Sequence, residues 1–417
     1  MQFNLPYGRS TRSFNLPDAC RPIVLEPSTG PTPGEPSELI SQALEQPIGS
    51  PPLGECLRGA NQIVVAISDI TRPCPSHVLL PPLMDALNQA GILDDQVTIV
   101  CAIGLHRHHT ELERRTLVGD SVCERVAVVD SDPDDVVALG TTKAGTPVEI
   151  TRLVAEADAV IAVGNIEYHY FAGYSGGYKA IVPGCSSFRT VSANHALMLH
   201  PGSVTGRLEG NPARLDLEEA GRMAKVRFVL NAILDSANEI IGVVAGAPVA
   251  AHRAGAEMLD SSKRVPLKRK VPIVVASPGG YPKDINLYQA HKGLEMAAMT
   301  VVDGGTLILV AECEDGVGHD VLERWLREAR TPSECVARLQ KGFVLGGHKA
   351  AAIARLMLRA NEVGLVSSLP AAQVLDLGFA YYETAQAAVD HAFARHGADS
   401  PTVVLPHAAA TLPIIGS

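Results

Sequence analysis

No stretch of this sequence stays apolar for the roughly 20 residues that a membrane-spanning helix requires. The opening residues, Met1-Gln2-Phe3-Asn4-Leu5-Pro6, lack the basic-then-apolar pattern of a secretory signal. Basic charge is also short: 35 Lys and Arg stand against 45 Asp and Glu, a net charge of −10, so the basic surface that a nucleic-acid partner demands is missing. Eight cysteines are scattered over 417 residues with no C-x-x-C pair, which excludes a zinc knuckle and a small disulfide scaffold. The G-x-G-x-x-G dinucleotide fingerprint, the G-x-x-x-x-G-K-[ST] loop and the H-E-x-x-H helix are absent as well. These absences leave a cytoplasmic protein with reduced thiols, acting on neither nucleic acid nor membrane.

What is present is apolar material for sizeable cores, 46% of the residues, arranged in alternating periods. Strand-length runs at 62–67, 96–103 and 158–163 are interleaved with helical patterns at 78–88 and 150–157. A basic, proline-containing stretch at 261–270 reads as a solvated hinge, and alternation then restarts. Strands are expected at 272–277, 306–311, 362–367 and 402–405, with helices at 285–299, 321–330, 348–359 and 384–395. The proline- and glycine-rich first sixty residues read as an extended arm. The pattern predicts an α/β protein of two α/β domains, each with a parallel-rich sheet, and an interdomain active-site cleft. The expected boundaries are 1–268, completed by the tail 402–417, and 272–401.

In open parallel sheets, ligands bind at the carboxyl ends of strands, and the polar motifs of this chain fall there. The first strand runs into Ser68-Asp69-Ile70-Thr71-Arg72, where Asp69 and Arg72 suit either a local ion pair or a carboxylate grip. The second runs into Gly104-Leu105-His106-Arg107-His108-His109, a histidine cluster compatible with a metal, a general base or a plain surface. The third runs into Glu167-Tyr168-His169-Tyr170-Phe171-Ala172-Gly173-Tyr174-Ser175-Gly176-Gly177-Tyr178-Lys179. Ser175-Gly176-Gly177 can present successive N–H groups as an anion nest, or form an ordinary turn, with Lys179 available beyond it. His195 follows on a helical pattern. In the second half, Tyr288, Gln289 and Lys292 share one helix face, either solvated or turned toward an anionic substrate.

Together these blocks resemble the lactate racemase family, the nickel-pincer-nucleotide enzymes that racemise or epimerise 2-hydroxy acids. The resemblance rests on SDITRPCPSH (68–77), GLHR (104–107), EYHYFAGYSGGYKAIVPG (167–184), ANH (193–195) and GGYPKDINLYQAHKG (279–293). It implies an isomerase that inverts the α-carbon of a short 2-hydroxy acid, lactate or a close relative, by proton-coupled hydride transfer. The implied cofactor is pyridinium-3-thioamide-5-thiocarboxylic acid mononucleotide carrying nickel, covalent to Lys179. His195 would be the protein's metal ligand, and Ser175, Gly176 and Gly177 would cradle the phosphate. His106 and His169 would be the catalytic bases. Arg72 and Lys292 would grip the substrate carboxylate with Tyr288 and Gln289 nearby, Asp69 orienting Arg72. Cofactor-biosynthesis enzymes are the implied partners, and a homo-oligomer stays open. Two other classes remain: a nicotinamide-dependent hydroxy acid dehydrogenase, and a non-catalytic carrier of cofactor or nickel. His108, His109 and His348 have no assigned role.

The implied chemistry needs such a set. Removing the Cα proton of a 2-hydroxy acid directly would build a dianion. Taking the hydroxyl proton while hydride leaves Cα avoids it, and two enantiomers present their hydroxyls differently, so two bases are expected.

Overall fold

The apolar runs become the centres of two sheets in the computed structural model, which describes residues 1–27, 34–235 and 238–416. The chain divides into two units, Gly30–Ser261 and a second built from Met1–Thr29 with Ser262–Ser417.

The sheet of the first unit runs Ile240–Gly246, Val226–Leu234, Ala159–Ile166, Ile63–Ser68, Val97–Ala102, Ala127–Asp130 across six strands. All neighbours are parallel except the edge strand Ile240–Gly246, which is antiparallel to Val226–Leu234. Every residue of Ala159–Ile166 is buried, as expected for a central strand covered on both faces. The helix Ser76–Gln89 covers one face through Leu79, Leu80, Leu83, Met84 and Leu87, whose side chains are wholly buried. Successive strands step outward from Ile63–Ser68 to Val97–Ala102 and Ala127–Asp130; the chain then returns to place Ala159–Ile166 on the other side of Ile63–Ser68. Such a reversal leaves a crevice beyond the carboxyl ends of the two strands where it occurs.

The second unit holds a six-stranded parallel sheet in the order Ala380–Tyr381, Glu362–Val366, Val301–Val310, Val271–Ala276, Thr402–Leu405, Pro22–Val24. Its helices include Leu287–Ala298, Asp320–Glu328, Gly347–Arg359 and Ala385–His396, each at the site that apolar periodicity marks.

Two expectations are corrected. The tail 402–417 does not complete the first unit, because Thr402–Leu405 pairs in register with Ile273 to Ala276 and Leu412–Ile415 pairs with Arg264–Leu267. All four residues of Thr402–Leu405 are buried, a burden only an interior strand position relieves. The opening residues are not an arm either. Gln2–Tyr7 and Ser10–Asn15 form an antiparallel hairpin. Leu5, Tyr7, Phe14 and Leu16 alternate with polar neighbours and enter the same core as Val275, Ile308 and Val404. The proline content of the neighbouring segment masked that period of two.

Phe14 is 1% exposed, so Phe14→Ala is expected to cost about 3–5 kcal/mol, measured as a lowered urea midpoint for the second unit. An unchanged midpoint would show that the hairpin does not support that core.

Candidate active site

Three adjacent strands of the first unit deliver their carboxyl-end loops to one place. Ile63–Ser68 leads to Asp69 and Arg72, Val97–Ala102 to His106, and Ala159–Ile166 to His169 and on to Lys179. The sheet order, not the sequence order, makes these loops neighbours.

Asp69 is 4% exposed and is met by polar groups from three residues. His106 donates from Nδ1 to Asp69 Oδ2. Thr71 donates to Asp69 Oδ1 through its hydroxyl at 2.7 Å and its N–H at 3.2 Å, and Arg72 Nε stands 3.8 Å away. Burial alone would raise the Asp69 carboxyl, but the His106 hydrogen bond and the Arg72 charge outweigh it and hold it below the usual range. Asp69 therefore meets Arg72 as expected, yet its tightest partner is His106. With its proton on Nδ1, His106 keeps a lone pair on Nε2.

His169 sits on a two-residue antiparallel pairing of Tyr168–His169 with Gly173–Tyr174. Ala172 donates its N–H to His169 Nδ1 at 3.2 Å. A backbone amide can only donate, so the neutral ring carries its proton on Nε2. The two histidines thus present opposite faces of the same chemistry, a bare nitrogen on His106 and an N–H on His169.

Sequence reasoning gave no role to Phe171, which is 2% exposed and lies at the centre. The His169 ring meets it edge-on at 4.6 Å, the His195 ring at 4.9 Å, and Lys179 Nζ lies 5.7 Å from its centroid. His195 comes from the helix Phe188–Ala196, whose first turn is capped by Ser187. Burial, then the Lys179 ammonium, pushes His195 down to about 3, so the imidazole is neutral. A neutral imidazole is what a metal requires of histidine.

The glycine turn departs from expectation. The Ser175 N–H is bound to the Glu167 carbonyl at 2.8 Å, and the Gly177 N–H to Asn231 Oδ1 at 2.9 Å. Two of the three N–H groups assigned to an anion nest are thus spent inside the protein. His252 donates from Nε2 to the Ser175 carbonyl at 2.7 Å, and the buried Arg214, paired with Glu218 at 2.8 Å, reaches the Tyr174 carbonyl at 3.3 Å. Gly176 at φ 74° and Gly177 at φ 58° allow the backbone to turn there and aim Lys179, on the short helix Gly177–Ala180.

In the second unit, Tyr288, Gln289 and Lys292 share the partly exposed face of Leu287–Ala298, while Leu287, Ala290, His291 and Leu294 face inward. Asn286 caps that helix by accepting the Gln289 N–H at 2.9 Å. Tyr288 is held from outside its own helix. His319 stacks on its ring at 5.2 Å, Lys349 Nζ lies 3.3 Å from the ring centroid, and the same amine donates to the Tyr288 carbonyl at 2.6 Å. His348 is buried in the first turn of Gly347–Arg359 and stacks on Phe343 at 5.3 Å.

The sign of one pH dependence follows. Folding lowers the His195 pKa, so its contribution is fully present above the unfolded value near pH 6.5 and is lost as pH falls toward the folded one. Thermal unfolding of the cofactor-free chain between about pH 7 and about pH 4 is expected to show a steeper loss of stability than His195→Gln shows. Identical slopes would mean that His195 is not buried as a neutral ring.

Residues 7–206 match the family model for the lactate racemase N-terminal domain, and residues 267–412 match the lactate racemase C-terminal domain. The lactate racemase of Thermoanaerobacterium thermosaccharolyticum is 36% identical over 342 residues, covering 80% of each chain. That of Lactiplantibacillus plantarum is 32% identical over 414 residues, covering 97% of each. The structure superposes on the lactate racemase apoprotein from T. thermosaccharolyticum with a TM-score of 0.91 at 31% identity, covering 99% of this chain and 100% of that one. A Thermotoga maritima protein shares the fold at 19% identity, with a TM-score of 0.65, 92% of this chain and 100% of that one being covered. Both domain models and the near-full-length relatives agree: the chain belongs to the lactate racemase family, a family of isomerases.

Proposed function

We propose that this protein interconverts the enantiomers of lactate, or of a closely related short 2-hydroxy acid, using a nickel-pincer nucleotide held on Lys179 and His195. The observation that carries the reading is the convergence of Lys179, His195 and His169 on the Phe171 ring.

The residues fit such a group. His195 offers one neutral imidazole. Among the described residues the group of three close metal-ligating side chains is Cys101, His109 and Asp130, and His195 is not part of it. Nickel at His195 would therefore need further donors from elsewhere, which a pincer with its own carbon and sulfur atoms provides. Lys179, aimed by the Ser175-Gly176-Gly177 turn, would hold that group covalently. When bound, the cofactor supplies a reversible acceptor for the α-hydrogen of the substrate as hydride.

The protein's own work is placement and proton traffic. Arg72, with Asp69 beside it, is assigned to the substrate carboxylate. His106, bare at Nε2, takes the hydroxyl proton of one enantiomer, and the Asp69 carboxylate stabilises the imidazolium that forms. For the opposite enantiomer the base is His169, whose Nε2 becomes bare once its ring carries the proton on Nδ1 in place of the Ala172 hydrogen bond; each imidazolium returns its proton to the oxygen when its own enantiomer is formed. The cofactor-making enzymes are the proposed partners.

The test is intact-mass and nickel analysis of protein co-produced with those enzymes, followed by optical assay of lactate. An adduct on Lys179, about one nickel per chain and conversion of either enantiomer to a mixture are expected. Lys179→Ala abolishes the adduct, and His106→Ala or His169→Ala lowers turnover by about 10²–10⁴-fold. Absence of adduct and nickel beside a loaded control enzyme would overturn the reading, and loading without any interconversion would leave a carrier.

A further inference from the structure

His109 and Asp130 stand behind the Asp69 loop. Asp130 ends the strand Ala127–Asp130, next in the sheet to the strand that leads to His106. The side chains of His109 and Asp130 are only 2% and 4% exposed. His109 gives two hydrogen bonds to this carboxylate, its N–H to Oδ2 at 2.8 Å and its Nδ1 to Oδ1 at 2.6 Å. On the other side of the ring, Ile70 donates its N–H to His109 Nε2 at 3.1 Å. Because that amide can only donate, Nε2 must be unprotonated, and the ring proton sits on Nδ1 facing Asp130. Arg114 closes the unit by donating from Nη1 to the His109 carbonyl at 3.0 Å, 3.4 Å from Asp130 Oδ2, with His108 Nδ1 3.3 Å from the same oxygen.

Cys101 completes a cluster compact enough to suggest a metal. The bonding argues otherwise. Both ring nitrogens of His109 are already committed, and a cation at Nδ1 would displace the proton that satisfies Asp130. Burial and the Asp130 charge also push the Cys101 thiol up to about 12, so no thiolate is on offer. The acceptor on Ile70 has a clearer consequence. Ile70 adjoins Asp69, whose carboxylate fixes the proton of His106.

We propose that His109, oriented by Asp130, is a positioning residue that holds the Ile70 amide and thereby sets Asp69 against His106. Asp130, His109, the Ile70 amide, Asp69 and His106 form one chain of contacts from the edge of the sheet to the reacting nitrogen. His109 never meets the substrate.

Two substitutions separate the ends of this chain. In His109→Asn the amide replaces Nδ1, keeping Asp130 and abandoning Ile70. In His109→Gln it reaches the place of Nε2, keeping an acceptor for Ile70 and abandoning Asp130. If the racemase reading on which this turnover assay rests holds, loaded His109→Asn is expected to lose about 100-fold in kcat with KM within about threefold, and His109→Gln to recover most of the loss. A second readout is independent of catalysis: NMR of isotope-labelled histidine in the cofactor-free chain. Wild-type His109 is expected as the Nδ1–H tautomer, and the His106 ring signals are expected to shift in His109→Asn but not in His109→Gln. That pattern without turnover of lactate or of any other short 2-hydroxy acid would sink the racemase reading and keep the positioning role. A wild-type His109 protonated on Nε2 would overturn the proposal even if neither variant folds, as would equal loss in both variants or unmoved His106 signals in His109→Asn.

Discussion

A phenylalanine side chain has no hydrogen bond to give, so whatever it positions, it positions by shape and by excluding water. The Phe171 ring does this for three groups at once: an imidazole above a backbone amide, a second imidazole on a helix, and a lysine amine. Its own place is fixed because Asn211 donates to its carbonyl at 2.8 Å, and because the backbone beyond it is braced by Arg214, His252 and Asn231. Replacing water by an aromatic face has an electrical result. Charge on His195 loses its hydration while the lysine charge remains close, so the neutral form wins. Geometry and protonation state at this site have a common source.

Backbone amides set the proton inventory elsewhere. An amide donor beside an imidazole removes one of its two tautomers, and the protein uses this at His169 through Ala172 and at His109 through Ile70. A carboxylate acceptor does the converse at His106. These three histidines therefore carry two assignments, Nδ1–H at His106 and His109 and Nε2–H at His169, decided by what lies within hydrogen-bond reach and not by differences in the rings.

Much of this was legible in the sequence, for identifiable reasons. Strands such as Val97–Ala102 and Ala159–Ile166 are unbroken apolar runs, and the polar residues that follow them mark the carboxyl ends of a parallel sheet. Asp69, His106, His169 and Lys179 could be read as neighbours because they share that edge. Phe171 could not be singled out, since an aromatic residue in an aromatic-rich stretch looks like core. That the Gly177 amide is spent on Asn231 could not be foreseen, because Asn231 lies far along the chain and on another strand. The hairpin at the start and the tail at the end were misplaced for a related reason. Local period shows that a segment is a strand but carries no record of which sheet receives it.

That sheet assignment has a consequence for how the chain is made. Pro22–Val24 pairs with Thr402–Leu405, so the second unit closes its sheet between segments that are synthesised far apart in time. At about 5–20 residues per second, the early strand waits on the order of tens of seconds for its partner to leave the ribosome. The Gly30–Ser261 unit contains all of its own strands and can be complete by then. During that interval the apolar side chains of the opening hairpin have no core to enter, so the nascent chain exposes surface that the finished molecule buries.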